Sequence, residues 1–317
     1  MALAQDERLA LAFRSLTGLS VGDAFGDQFF LLPNRGLPAA SAVPPGPWNW
    51  SDDTEMACSV MAVLNQYGRI DQDALAASFA DHMDVGRRYG VGALELLTRI
   101  RRGDHWQRAS RELFDGGGSY GNGAAMRVAP LGAHFADGLD RAAAEAVLSA
   151  EITHANPEGV AGAVAVAVAA AHVASRRGEP VEPAEVIETA LERTTMGEYV
   201  RKGMHRSLRL LDRSPEEAAR ELGNGSRISA QDTVPYALWA AATRLTDYEA
   251  AVRACPWSAA TWTPPRRSSA GSSGPTFPPT PSRRAGWRPA SRSPTGSGCE
   301  PAGDAGRWAV RRDGEMM

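Results

Sequence analysis

Along the first 255 residues, apolar positions recur at helical spacing, and no segment alternates convincingly with the period of a strand. Leu9, Phe13, Leu16 and Leu19 mark a helix over 6–20, and Met56, Val60, Leu64 and Tyr67 mark another over 54–67. Leu75 and Phe79 share one face of 71–83, which Asp71 caps, and 92–102 gives a further helix. Residues 137–152 form an Ala-rich helix, and Gly159 to Arg176 follow as Ala, Val and Gly almost without charge. A helix apolar all round is a buried central one. Further helices are predicted at 183–195, at 205–222 with a Ser214-Pro215 cap signal, and at 229–242, where Asp232 and Thr233 cap and Pro235 lies in the first turn. A last helix begins at 247. Residues 33–50 are a Pro/Gly-rich loop, and 103–126 are loop. The pattern predicts an all-α fold, roughly ten helices in a single multi-helix domain.

Two interruptions carry candidate chemistry. The first is Trp50-Ser51-Asp52-Asp53-Thr54-Glu55, where two adjacent carboxylates follow a hydroxyl just as a helical pattern begins. Ser51 to Thr54 and Asp52 to Glu55 have the three-residue offset of a cap, so a well-capped helix start accounts for the stretch. Only one of two adjacent acids can be the N-cap, however. With Ser51 they also offer the hard oxygens that suit Mg²⁺, Ca²⁺ or Mn²⁺.

The second interruption is Asp115-Gly-Gly-Gly-Ser-Tyr-Gly-Asn-Gly-Ala-Ala-Met-Arg127. Its glycines permit close backbone approach to a ligand. A helix start near Ala124, with Arg127 one turn in, would make it a phosphate cradle. It matches neither the dinucleotide-binding fingerprint nor the P-loop. His154, before Asn156-Pro157, stands at a helix entrance as either a ligand contact or a satisfied loop histidine, whereas His172 reads as a core histidine. Gly18, Gly22 and Gly26, four apart, read as a close-packing helix face.

Composition changes this picture at one point. The chain has 317 residues, 43 % hydrophobic, with a net charge of −3. Such a balance gives no electrostatic case for nucleic acid. Cys58, Cys255 and Cys299 form neither a metal spacing nor a disulfide framework. No signal peptide is read at the N-terminus. The uncharged run Gly159–Ala171 is short for a bilayer. A monomer in the cytoplasm, without membrane or nucleic-acid partners, is expected. Residues 256–317, however, hold no Leu or Ile, and Pro, Gly and Ser fill 27 of these 62 positions. They carry 9 Arg against 4 acids, net +5, whereas residues 1–255 carry net −8. The domain is therefore expected to span 1–255, with 256–317 a disordered tail.

Taken in order, Gly22-Asp23-Ala24-x-Gly26, Ser51-Asp52-Asp53-Thr54, Gly121-Asn122-Gly123-Ala-Ala-Met126-Arg127-Val-x-Pro130, Thr153-His154 and Gln231-Asp232-Thr233-Val-Pro resemble the motifs of the ADP-ribosylglycohydrolase family. The resemblance implies an all-helical domain of the ADP-ribosylglycohydrolase type. It implies a substrate bearing ADP-ribose and two Mg²⁺ or Mn²⁺ ions that hold the ribose hydroxyls and position a water at the anomeric carbon. It makes Ser51, Asp52 and Asp53 metal ligands, with Asp52 and Asp53 carrying the catalysis. Gly121, Asn122, Gly123, Met126, Arg127 and His154 become substrate contacts. Some members of the family carry a Glu where this chain has Phe30.

The family's late Gly-Gly-Asp-x-Asp-Thr-Thr motif, which completes the metal site, is missing after residue 255. In its place stands Pro256-Trp-Ser-Ala-Ala-Thr-Trp-Thr-Pro-Pro-Arg-Arg-Ser-Ser-Ala-Gly-Ser-Ser-Gly274. Read from the third base of the Pro256 codon, Trp257-Ser258 forces a Val and Trp262-Thr263 forces an Asp. With suitable wobble bases the shifted frame spells Leu-Val-Gly-Gly-Asp-Val-Asp-Thr-Thr-Ala-Ala-Ile-Val-Gly. Residues from about 255 onward therefore read as translated from a shifted frame. Two functions follow: a metal-dependent ADP-ribosyl hydrolase impaired by the lost motif, or a non-catalytic ADP-ribose binder.

Overall fold

A computed structural model describes residues 3–31, 34 and 43–254 of the chain. In chain order its helices are α1 (Gln5–Asp27), α2 (Asp52–Tyr67), α3 (Gln72–His82), α4 (Val91–Arg101), α5 (Trp106–Glu112), α6 (Ala129–His134) and α7 (Leu139–Glu151). After them come α8 (Pro157–Ser175), α9 (Pro183–Arg193), α10 (Glu198–Leu208), α11 (Pro215–Leu222), α12 (Ala230–Ala242) and α13 (Tyr248–Ala254). The described residues hold no strand, and an isolated bridge joins Gly121 to Ser229. The expectations for residues 256–317 lie outside the described residues.

Helix α8 is the axis of the fold. Asn156 caps it by accepting the Glu158 N–H, Pro157 occupies its first turn, and every residue from Gly159 to His172 is buried. Its length and composition alone would allow it to cross a bilayer, but 83 % of its apolar window is buried inside the protein. Helices α6, α7, α9 and α12 pack around it. Small residues set the spacing: a Cβ at Gly132 of α6 would fall 2.1 Å from the Ala167 carbonyl oxygen of α8. The helices therefore approach to backbone contact there.

Several predicted boundaries move. Helix α1 runs unbroken through Gly18, Gly22 and Gly26, burying Gly22, Asp23, Gly26 and Asp27 near its end. The predicted 205–222 helix is two, α10 and α11, because Ser214 forms a capping box with Glu217 and Pro215 starts a new helix. The short helix α5 lies within a stretch predicted as loop. The helix expected from Ala124 begins at Ala129 instead. Asn122 O accepts the N–H groups of both Ala125 and Met126, which holds 122–127 in tight turns. Asp232 does not cap α12: the helix starts at Ala230, and the Asp232 carboxylate accepts the Arg227 N–H at 2.9 Å.

Candidate functional site

The site begins where the end of α1 meets the start of α2. Asp23, 1 % exposed, accepts four hydrogen bonds from across this junction. The Ser51 N–H and hydroxyl donate at 2.8 and 2.6 Å, and the Thr54 N–H and hydroxyl at 3.2 and 2.5 Å. Such a fully used buried carboxylate fixes the corner rigidly. Ser51 is the N-cap of α2, accepting the Asp53 N–H at 3.3 Å. This corrects the sequence expectation that one of the two acids caps: both Asp52 and Asp53 lie in the first turn.

Burial, then the charge of Asp23, pushes the Asp52 carboxyl up to about 7. Burial, Asp23 and Asp52 together push Asp53 well above the ordinary carboxylate range. Carboxylates crowded in this way gain from a neighbouring cation. Neither is ion-paired among the described residues. The Ser51 hydroxyl gives its proton to Asp23 and keeps oxygen lone pairs. These three side chains therefore fit one part of the shell of a hard divalent ion. Among the described residues no three acid, histidine or cysteine side chains converge into a full metal set.

One turn into α2, Glu55 ties down the loop between α3 and α4. It accepts the Asp84 N–H at 2.9 Å and the Tyr89 hydroxyl at 2.7 Å, with Arg87 Nε 3.8 Å away. Within that loop Arg88 reaches across to pair with Asp27 of α1.

The opposite wall is the glycine loop. Its Gly121 and Gly123 pack on the His154 ring, which would meet a Cβ at either position within 3.4 Å. His154 itself bonds Thr153 Oγ1 through Nδ1 at 2.7 Å, and burial with the Arg127 charge lowers it to about 3. It is a neutral ring shaping the loop rather than a cation. Arg127 lies beneath the loop with no exposure. It donates to Gly123 O at 3.0 Å, Ser149 O at 2.8 Å and Thr153 Oγ1 at 2.9 Å, with its guanidinium 4.6 Å over the Phe79 ring. Through these bonds Arg127, which also lines the cleft, supports the loop from below. Met126 is also buried, at the cleft wall.

Between these walls lies a cleft of about 660 Å³. Asp23, Ser51, Asp52 and Asp53 line it, as do Gly121, Asn122, Gly123, Met126, Arg127 and His154. The structure thus brings all the sequence-predicted site residues to one cavity. Exposed apolar side chains stand on its margin, among them Phe30, Val91, Phe114, Tyr120 and Ile228. Sequence reasoning gave no role to Asp23, Asp27 or Arg88, and gave Glu55 a capping role, whereas it ties down the loop before α4. Asp23 sat in a quoted motif, but its partners are 28 and 31 residues away. The cavity thus has acids on one wall, open glycine backbone on the other and an apolar margin.

Comparison with known proteins agrees with this chemistry. The family model described as ADP-ribosylglycohydrolase matches residues 4–255. An uncharacterised protein of Archaeoglobus fulgidus is 30 % identical over 247 residues, 71 % of this chain and 74 % of that one. Human ADP-ribosylhydrolase ARH3 is 30 % identical over 235 residues, 66 % of this chain and 62 % of the human protein. A solved ADP-ribosylglycohydrolase-related protein complex is 23 % identical, with a TM-score of 0.54 over 81 % of this chain and 89 % of that one, and shares the fold.

Proposed function

Because the chain belongs to the ADP-ribosylglycohydrolase family, whose members act on ADP-ribose linkages, we propose that its cleft binds the ADP-ribosyl group of a modified protein or small molecule and serves hydrolysis at the anomeric carbon. The observation that carries this reading is the Asp23-locked Ser51-Asp52-Asp53 corner facing Gly121–Gly123 and His154 across one cleft. In it, Ser51, Asp52 and Asp53 would hold Mg²⁺ or Mn²⁺. When bound, the ion supplies charge to orient sugar hydroxyls and lower the pKa of a water. The Gly121-Asn122-Gly123 backbone approaches the diphosphate and ribose. His154 and Arg127 keep that backbone in place. Asp23 fixes the corner without touching substrate.

The second reading, a binder without turnover, is favoured by one observation: Asp52 and Asp53 stand without further acids to complete a metal set among the described residues. The shifted-frame reading of residues after about 255 gives that gap a cause. The coding DNA across codons 250–260 tests it, and wobble bases that spell anything but the motif end it. The purified chain, incubated with ADP-ribosylated protein and Mg²⁺, is expected to bind free ADP-ribose and release little of it from the substrate. Release at an ordinary enzymatic rate, abolished by a chelator, would establish the hydrolase and overturn the impairment. No binding of ADP-ribose at all would overturn both readings.

A further inference from the structure

Arg88 has no part in the chemistry described so far, yet it occupies a costly position. Its φ is +64°, a region that side chains other than glycine seldom adopt. Of the non-glycine residues at positive φ among the described residues, Arg88, Phe114 and Ile228 line the cleft, and Asp115 adjoins Phe114. Both neighbours of Arg88 are pinned. Arg87 donates to Trp50 O at 3.0 Å and lies 3.7 Å over the Trp50 ring, while the Tyr89 hydroxyl is held by Glu55. A strained residue fixed from both sides at a cleft points to a role for its side chain.

That side chain pairs with Asp27, a buried carboxylate one helical turn after Asp23, yet remains 41 % exposed. One carboxylate takes at most two of the five guanidinium N–H donors. The others have no partner among the described residues, on a side chain that lines the cavity. The cleft meanwhile gathers Asp23, Asp27, Asp52 and Asp53. An anionic ligand entering it meets repulsion that one fixed cation would offset. Guanidinium also suits an oxyanion geometrically, since it can donate two parallel hydrogen bonds.

We propose that Arg88 is a specificity-determining residue that grips an oxyanion of the bound ligand, with buried Asp27 as its resting partner. The inference rests on the ADP-ribosyl reading of the cleft. The oxyanion has two sources, the diphosphate of ADP-ribose or an anionic group leaving from the anomeric carbon.

Calorimetric titration of the full chain with ADP-ribose, ADP-ribose 1″-phosphate and adenosine separates them. Arg88→Gly removes the guanidinium and relieves the backbone but leaves buried Asp27 without its counter-charge, so it is made beside Asp27→Asn/Arg88→Gly, in which that charge is also removed and Tm is expected to stay near that of the unaltered chain. Arg88→Gly is expected to weaken ADP-ribose about tenfold to a hundredfold, as for a lost charge-assisted bond, if the diphosphate is the target. It would weaken only the 1″-phosphate if the leaving group is. Adenosine stays unchanged in either case, and Arg88→Lys recovers part of the loss. Equal affinity of Arg88→Gly and the unaltered chain for both phosphorylated ligands overturns the inference alone. So does an equal fall for adenosine, which would mark a merely structural role. An unaltered chain that binds none of the three overturns the ADP-ribosyl reading and takes the inference with it.

Discussion

Asp23 and Ser51 are joined twice: the serine N–H meets one carboxylate oxygen at 2.8 Å and its hydroxyl meets the other at 2.6 Å. Thr54 completes the set on the same carboxylate. Asp23→Ala leaves four buried donors without an acceptor. Loss of one side of a buried charged network costs about 3–5 kcal/mol, read by urea unfolding. The Ser51 oxygen also loses its orientation, so Mn²⁺ affinity at the corner is expected to fall with stability. Asp23→Asn keeps the shape but turns one acceptor into a donor, and falls between. Asp23→Ala with unchanged stability and ion affinity would remove Asp23 from this role.

That pair also marks the limit of what the sequence makes legible. Ser51-Asp52-Asp53 and Gly121-Asn122-Gly123 stand out because capping and glycine turns are local chemistry, written within four residues. The buried α8 stands out because its apolar run has no polar face. Asp23 with Ser51, and Arg88 with Asp27, do not: these partners are 28 and 61 residues apart and meet only through packing. Arg127 is a ligand contact only by the family resemblance, which carries no information on its burial. Its burial depends on Ser149 and Thr153 arriving from α7 and the loop after it. The division between α10 and α11 was written in Ser214-Pro215, yet the apolar pattern running through the break concealed it.

Arg127 is predicted to govern loop shape. Its hydrogen bonds to oxygen run to the loop at Gly123, to α7 at Ser149 and to Thr153. Arg127→Ala opens a cavity and orphans those acceptors, at about 3–5 kcal/mol by urea unfolding. Arg127→Lys is not expected to rescue it, because a single ammonium cannot span the planar fork. ADP-ribose affinity falls in both through the displaced Gly121–Gly123 backbone. A lysine variant with full stability and affinity would show that charge alone suffices.

Gly132 is predicted to be irreplaceable even by alanine. A Cβ there would lie 2.1 Å from the Ala167 carbonyl oxygen and 2.8 Å from its carbonyl carbon, both rigid backbone. Relief requires α6 to move off α8, and overpacking of this kind costs about 1–3 kcal/mol or more. By contrast, Gly90 has open space around its virtual Cβ. Gly90→Ala is expected to change stability little. Thermal melts of the two variants side by side check the contrast, and equal losses would contradict it.

His134 is predicted to make the fold acid-labile. It is fully buried on α6, and neither ring nitrogen finds a partner. Burial, then the charges of Arg8 and Arg141, lowers it to about 4, with Asp137 opposing them. An unfolded histidine titrates near 6.5. The folded state therefore refuses a proton that the unfolded chain accepts. The stability held by the neutral ring is complete above about pH 6.5 and is lost as pH falls towards 4. A shift of this size corresponds to about 3 kcal/mol once pH is below both values. His134→Leu removes one titrating group and leaves no polar atom unpaired, so it is expected to make the loss of stability between pH 6.5 and 4 shallower, the remaining loss coming from buried His154, which is pushed still lower. At pH 7.5 it should match or exceed the unaltered chain. Urea midpoints across that range test this. A leucine variant that loses stability on acidification as steeply as the unaltered chain would place the proton uptake on another group.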